Sequence, residues 1–394
     1  MDRVKVYTNE GSGPYAAEPG AARTRSPGRV WQPMDPLTLR EIEEDARRRL
    51  PVAIREFIDG GSSQERTLAG NLSQYGRWGF RPRVLVDVST VDLTVDLLGS
   101  TLAAPIGVAP MAYHRLVDPE GETATARAAG RHGLLTVVAM FASRTVEEIA
   151  AEATGPLWLQ LYWLRRRDVL AGLLERAEQA GYRALLLTVD APRIGRRLRD
   201  LRNGFAVPPQ VRAVNLEPEL MTSTGRSAVG RSAIATHAEE QFETTLTWSD
   251  LAWLRERTSL PLVLKGILTA EDARLAVGHG ADAVVVSNHG GRQLDGAVPT
   301  LTGLPEVVAA VPADFPVLLD GGVRSGTDAA TALALGARAV LVGRPVLWGL
   351  AAGGEAGAAR VLGLLRDELE HTLALLGRPR PGDLDRSALA DLGV

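Results

Sequence analysis

The stretch PLVLKGILTAEDARLAVGHGADAVVVSNHGGRQLD, residues 261–295, carries the pattern on which the fold turns. It opens on a short apolar run (261–267), continues through an amphipathic segment (269–279), passes Gly280, and returns to a second apolar run (283–288). Short apolar runs without alternation suit parallel strands covered on both faces. Apolar residues three and four apart in the segment between mark one face of a helix. Thr269, with Asp272 three residues on, reads as a helix N-cap in capping-box fashion, and Gly280 as a C-cap.

The same unit repeats outward from this stretch. Further apolar runs lie at 105–112, 134–140, 157–163, 184–190, 316–322 and 339–344, and helical patterns at 145–153, 166–180 and 326–335. Thr145 with Glu148 repeats the capping pattern, and Gly181 and Gly336 repeat the terminal glycine. Eight strands, each followed by a helix, predict an α/β fold, a (β/α)8 TIM barrel, with an open doubly wound sheet as the alternative. About seventy residues separate the fourth run from the fifth, and only 247–258 of them read as a barrel helix. The polar remainder, about 191–245, is expected to be a lid over the catalytic face, where insertions after barrel strands sit. Residues 36–380 are read as the barrel domain, with helix over 36–58 and short strands over 80–97 covering one barrel end. Residues 1–35, rich in Gly, Pro, Ala and Arg, are expected to be a flexible arm, and 381–394 a C-terminal tail.

Composition narrows the function. The chain has 394 residues, a formal net charge of −3 and interleaved acids and bases, so it lacks the basic stripe of a nucleic-acid binder. With no cysteine, disulfides, thiolate nucleophiles and cysteine-held metals are excluded, and no metal site is expected. No apolar run has the length of a membrane span, and the N-terminus lacks a secretory pattern, so a cytoplasmic protein with a small neutral or anionic ligand is expected.

Polar residues at the carboxyl ends of barrel strands converge on one face and read as chemistry. Here they are Gln160 and Tyr162, Thr188 and Asp190, Lys265, the run Ser287-Asn288-His289-Gly290-Gly291-Arg292, the run Asp320-Gly321-Gly322-Val323-Arg324, and Gly343-Arg344. Glycine turns after the last two strands, each with an arginine, predict a phosphate seat. His289 shares the barrel mouth with a carboxylate, Asp190, which would hold one tautomer and stabilise the imidazolium formed on proton abstraction. His114, His132, His237, His279 and His371 are read as structural. Lys265 is an ion-pair partner, a Schiff-base nucleophile or a fixed cation beside an electron-accepting cofactor; the residues alone leave these open. Of Arg196 and Arg197, one is expected to reach a substrate carboxylate, with Arg196 solvated.

SNHGGRQLD at 287–295, TVDAPRIGRR at 188–197, LVLKGI at 262–267, DGGVRSGTD at 320–328 and VGRP at 342–345 occur in this order. Together they resemble the FMN-dependent α-hydroxy acid oxidase and dehydrogenase family, which includes glycolate oxidase, lactate monooxygenase and mandelate dehydrogenase, over about residues 50–377. The resemblance implies FMN, a 2-hydroxy acid substrate, oxygen or another electron acceptor, and a homo-oligomer of four or more chains. It places Pro110, Met111 and Ala112 along the flavin ring, with Gln160, Thr188 and Ser287 as further cofactor contacts. Lys265 is implied near the edge that gains negative charge on reduction. Asp320, Gly322, Arg324, Gly343 and Arg344 are implied to hold ribityl and phosphate groups. It makes His289 the general base, oriented by Asp190, while Tyr162, Arg197 and Arg292 grip the substrate.

Three positions bear on the substrate. Phe57 stands where the family usually carries a carboxylate-binding tyrosine, Ala139 where a serine commonly meets the flavin, and Phe141 where glycolate oxidase has a tryptophan. A lost hydrogen bond to a charged group costs about 1.5–3 kcal/mol. Phe57, Tyr113 and Phe141 therefore predict a more apolar pocket and an aryl or bulky 2-hydroxy acid. The alternatives are a flavin-dependent tailoring oxidase for an amine, peptide-derived or carrier-bound substrate, and a barrel lyase using Lys265 as a Schiff base.

Overall fold

A computed structural model describes residues 36–216 and 233–393. The expected arm and part of the expected lid (217–232) lie outside the described residues. Helices α1 (Leu39–Arg49), α2 (Val52–Asp59) and α3 (Arg66–Ser73) come first, followed by short strands β1 (Trp78–Phe80), β2 (Val95–Leu97) and β3 (Ser100–Leu102). The repeating part runs β4 (Ile106–Val108), α4 (Glu122–Gly130), β5 (Leu135–Ala139), α5 (Val146–Glu152), β6 (Leu157–Leu161), α6 (Arg167–Gln179) and β7 (Ala184–Thr188). The lid segment carries α7 (Leu198–Asn203) and α8 (Ala233–Gln241), and α9 (Leu251–Arg255) leads to β8 (Leu262–Ile267). Then follow α10 (Ala270–Gly278), β9 (Ala283–Val286), α11 (Thr300–Ala310), β10 (Val317–Asp320), α12 (Gly326–Ala334), β11 (Ala339–Val342), α13 (Arg344–Leu376) and β12 (Leu389–Asp391).

Strands β4 to β11 close into a parallel barrel in the order β10-β11-β4-β5-β6-β7-β8-β9, so the barrel and not the open sheet is the fold. Alternation within the apolar runs divides them between two cores. Leu135, Val137, Trp158, Leu186, Val263, Val285, Leu318 and Leu341 fill the barrel interior, while Val138, Leu159, Leu185, Leu264, Val284, Leu319 and Val340 pack outward under the helices. Both sets are buried, which is why the runs show no polar alternation in sequence. Thr145 and Glu148 form a complete capping box, and Thr269 accepts from the Asp272 amide. Gly181, Gly280 and Gly336 take the left-handed φ that ends a helix without Cβ strain.

Two elements differ from the expectation. Residues 36–58 form two helices because Pro51 supplies no N–H and disfavours helical backbone at Leu50, which is extended at φ −79° and ψ 138°. Between 80 and 97 only the ends are strand: β1 pairs with β12 near the C-terminus, and β2 pairs with β3. Val95, Leu97 and Leu102 of that hairpin join the interior cluster and plug the barrel. The last barrel helix before β8 is one 3-10 turn, Trp248–Asp250, continued by α9.

Candidate active site

The site is built where the strands end. After β9 the chain turns sharply: His289, Gly290 and Gly291 all have positive φ (59°, 62° and 75°). Glycine adopts this freely, but an L-residue held there costs about 1–3 kcal/mol and persists only when its surroundings impose it. The Asn288 carboxamide oxygen imposes it by accepting from the Gly291 amide (3.0 Å) while pairing with Asn71 of α3 (2.8 Å). A Cβ on Gly291 would meet the Leu68 amide nitrogen at 2.6 Å, so this turn tolerates no side chain.

The strain aims His289 into a cavity at the barrel mouth. Its Nδ1 lies 2.8 Å from Asp190 Oδ1, and its Nε2 3.4 Å from the Tyr162 hydroxyl. Burial pushes the imidazole below its ordinary range, and Asp190 opposes that push. Burial would raise the Asp190 carboxyl, but His289 and Lys265 hold it below the usual range. A carboxylate at Nδ1 favours the tautomer protonated there, leaving Nε2 to accept a proton. Burial lifts the Tyr162 phenol to about 12, so its hydroxyl is a neutral donor. Asp190 reaches His289 across a bulge in β8 between Lys265 and Ile267. At the bulge a Cβ on Gly266 would sit 2.5 Å from Asp190 Cβ.

Lys265 is fixed from two sides, its Nζ 2.9 Å from Asp320 Oδ2 and 2.7 Å from Ser287 Oγ. Burial alone would lower the ammonium, but Asp320 and Asp190 together raise it. A Schiff-base lysine needs the opposite shift, so the geometry favours a fixed cation and the lyase alternative falls away. Ser287 Oγ also accepts from the His289 amide at 3.1 Å. Asp190 and Ser287 thus stand behind the lining in contact with His289 and Lys265, while the other expected site residues line the cavity.

Arg197 is buried with no hydrogen-bond partner for Nε among the described residues, whereas Arg196 is exposed. Arg292 is held by the Gly60 carbonyl (2.7 Å) and lies 5.2 Å above the Phe57 ring, which stacks on Phe205 at 4.2 Å and 10°. Burial depresses both arginines, Arg292 the more, leaving a concentration of positive charge that an anionic ligand relieves.

The opposite wall and floor suit a flavin mononucleotide. Gln160 Nε2 donates to Thr188 Oγ1 at 3.0 Å, which leaves the Gln160 carbonyl and the Thr188 proton for a heteroaromatic edge. Pro110, Met111, Ala112 and Ala139 form an apolar face beside them. Asp320 Oδ1 is buried without a hydrogen-bond partner among the described residues, a ready acceptor for a ribityl hydroxyl. At the far end Gly322, Arg324, Gly343 and Arg344 meet the N-terminus of α13. Burial lowers Arg324 and brings Arg344 to about 10, a desolvation that a bound anion would offset. Arg344 also clasps the carbonyls of Ile58, Gly60 and Gly290, each at 3.0 Å, tying α2 to the His289 turn.

The lid adds residues to the cavity that its sequence does not advertise. His237 of α8, read above as structural, lines the cavity with Ala238, Phe242 and Ile194. His114 and His132 are indeed structural in their contacts, bonded to Thr125 Oγ1 (2.8 Å) and the Ala359 carbonyl (2.9 Å).

The family described as FMN-dependent dehydrogenase matches residues 46–391. A peroxisomal (S)-2-hydroxy-acid oxidase of Oryza sativa subsp. japonica is 48% identical over 352 residues, covering 89% of this chain and 95% of the relative. An L-lactate oxidase of Nostoc sp. is 47% identical, covering 90% and 98%. The solved structure of a mandelate oxidase with (S)-4-hydroxymandelic acid superposes with a TM-score of 0.86 at 47% identity, covering 90% of this chain and 98% of that one.

Proposed function

The chain belongs to the FMN-dependent dehydrogenase family, and from that premise we propose how it performs its reaction, the FMN-dependent oxidation of a 2-hydroxy acid to the 2-oxo acid, and on which acid. The observation that carries the reading is an imidazole, His289, paired with Asp190 and placed with Lys265 and two buried arginines, Arg197 and Arg292, in one cavity. FMN, when bound, takes the two electrons that the substrate carbon loses. Arg197 and Arg292 pair with the substrate carboxylate, and Tyr162 donates to its oxygen. His289 accepts a proton at Nε2, and Asp190 stabilises the imidazolium that results. Lys265 places a permanent positive charge where FMN gains negative charge. Gln160 and Thr188 meet the ring edge, Asp320 the ribityl chain, and Arg324 and Arg344 with Gly322 and Gly343 the phosphate.

The substrate is an aryl or bulky 2-hydroxy acid. Phe57 lacks the hydroxyl that would grip a small acid, and its ring is engaged with Phe205 and Arg292. Phe141, Tyr162 and Phe242 form an aromatic wall in the same cavity. Oxygen is the electron acceptor, a reading supported by relatives named as oxidases. The protein works in the cytoplasm as a homo-oligomer of four or more chains. The cysteine-free composition supports a reducing compartment, although the rice relative is named as peroxisomal. The exposed apolar residues Val84 and Leu85 support a contact between chains.

The test is the visible spectrum of the purified protein, recorded anaerobically before and after a panel of 2-hydroxy acids. Mandelate-like acids are expected to bleach the flavin band faster than glycolate, and air to restore it. Rapid bleaching by glycolate with none by aryl acids overturns the substrate reading.

The His289–Asp190 pair carries a pH signature. The unprotonated imidazole is the active form, so kcat/KM rises with pH through the His289 pKa, which burial lowers from its ordinary value. Asp190 raises that pKa, so Asp190→Asn is expected to move the acid limb to lower pH and to reduce kcat about 100-fold or more. An acid limb that moves upward on this substitution contradicts the assignment.

A further inference from the structure

Two arginines at the phosphate end of the cavity converge on the last turn of α2. Arg344 donates from Nε to the Ile58 carbonyl and from Nη2 to the Gly60 carbonyl, each at 3.0 Å, and so brackets the residue between them, Asp59. The Arg324 guanidinium lies 5.0 Å from the Trp348 ring, whose indole nitrogen donates to Asp59 Oδ1 at 2.9 Å. Ile58 lines the cavity and Asp59 does not, so the acid stands just behind the wall that carries the two cations. Its other oxygen, Oδ2, accepts from Arg47 Nε of α1 at 3.2 Å, and Arg47 also pairs with Glu43 at 2.7 Å. Arg47 is half exposed, whereas the Asp59 side chain is only 8% exposed.

Neighbouring buried cations give this acid its work. Burial lowers both arginines, and Arg324 adds to the effect at Arg344. At Arg324, Glu43 opposes it most, with Tyr75, Asp328 and Asp59; at Arg344, Asp59 does so most, with Glu65. Asp59 is thus the acid that serves both. Glu65 is engaged with Arg199, and Asp328 accepts from the Arg324 amide and the Ser325-capped turn of α12. A buried carboxylate stabilises guanidiniums beside it, and the same charge repels an anion that comes to them. Solvent screens the half-exposed Arg47, which therefore offsets Asp59 only in part.

We propose that Asp59 is the resident counter-charge of the FMN phosphate seat: it stabilises Arg324 and Arg344 before FMN binds, and it lowers the affinity of the seat for the phosphate. The inference rests on the reading, given above, that these two arginines hold that phosphate. Asp59 then sets how tightly the cofactor is kept without touching it and without a part in the oxidation. The sign of its effect separates this role from a structural one. Altering a residue that only tied α2 to α1 and α13 weakens FMN binding, whereas neutralising a counter-charge strengthens it.

The probes are FMN and riboflavin, which differ by the phosphate alone. Each is titrated into the deflavinated full chain and followed by the quenching of flavin fluorescence, and the ratio of the two dissociation constants isolates the phosphate seat. Asp59→Asn keeps an acceptor for Trp348 but loses the charge, and is expected to raise the preference for FMN about tenfold above wild type. Arg47→Gln leaves the Asp59 charge without its ion partner and is expected to lower the preference about two- to threefold, the small effect of a half-exposed group. An unchanged or lower preference in Asp59→Asn overturns the counter-charge and leaves the phosphate seat standing. If that variant does not fold, Arg47→Gln decides: a fall supports the proposal, and a preference at or above wild type overturns it. A wild type that binds riboflavin as tightly as FMN overturns the phosphate seat and this inference with it.

Discussion

His289→Asn lowers the rate of anaerobic flavin reduction by about 10²–10⁴-fold, the usual contribution of a positioned general base, while FMN remains bound. Asparagine is the informative replacement because the site demands φ near 59°, and Asn is among the few L-residues that enter the left-handed region readily. The turn through Gly290 and Gly291 is then kept, along with the Arg344 contact to the Gly290 carbonyl. What disappears is Nε2, which accepts the proton, together with Nδ1, which lies 2.8 Å from Asp190 Oδ1. Stopped-flow absorbance with saturating aryl 2-hydroxy acid measures the effect. Reduction within tenfold of the wild-type rate removes His289 from the chemistry.

The second large effect falls on stability and rate together. Lys265 and Asp320 are each almost wholly buried, with side chains 5% and 8% exposed, and are 2.9 Å apart. Lys265→Met leaves a buried carboxylate without its cation, a loss of about 3–5 kcal/mol. Lys265→Met combined with Asp320→Asn removes both charges and is expected to recover most of that stability. It does not recover the rate, because no positive charge remains where FMN gains electrons. Denaturant midpoints at saturating FMN, read beside single-turnover reduction rates, separate the two consequences. A single variant as stable as the wild type shows that water or another cation compensates Asp320, contrary to the geometry.

The parts of this site that could be read in advance share one property: each depends on local chain order. A strand that ends in Ser287-Asn288-His289-Gly290-Gly291 announces a tight turn that carries a histidine to the barrel mouth. Thr145 with Glu148 announces a helix start. Lys265 is different, since its residue type allowed three roles. The pairing with Asp320, two strands onward, favours the fixed cation, because it raises the ammonium that burial alone would lower.

His237, Phe242 and Phe205 were not legible because their signal is weak in sequence. Each lies in the long polar segment between β7 and β8, where no apolar period fixes which way a side chain points. Phe205 takes up its role only by stacking on Phe57, nearly 150 residues earlier in the chain. Gly266 was similarly silent. It sits inside an apolar run, and only the approach of Asp190 to within 2.5 Å of a would-be Cβ shows why a side chain is excluded.

Read alone, the chain specified the barrel, the strand ends that would carry chemistry, and the FMN-dependent class of reaction. The first two follow from periodicity and short motifs, which hydrophobic burial and backbone geometry translate into structure one unit at a time, and the third from the resemblance of those motifs to a known family. Tertiary structure alone decided the directions in which the His289 and Lys265 pKa values are pushed, the sharing of Arg344 among three carbonyls, and the aromatic wall that the lid completes. The physical reason is that desolvation and close charge pairing depend on which groups meet after folding. Those partners come from segments far apart in sequence, so no local pattern records them.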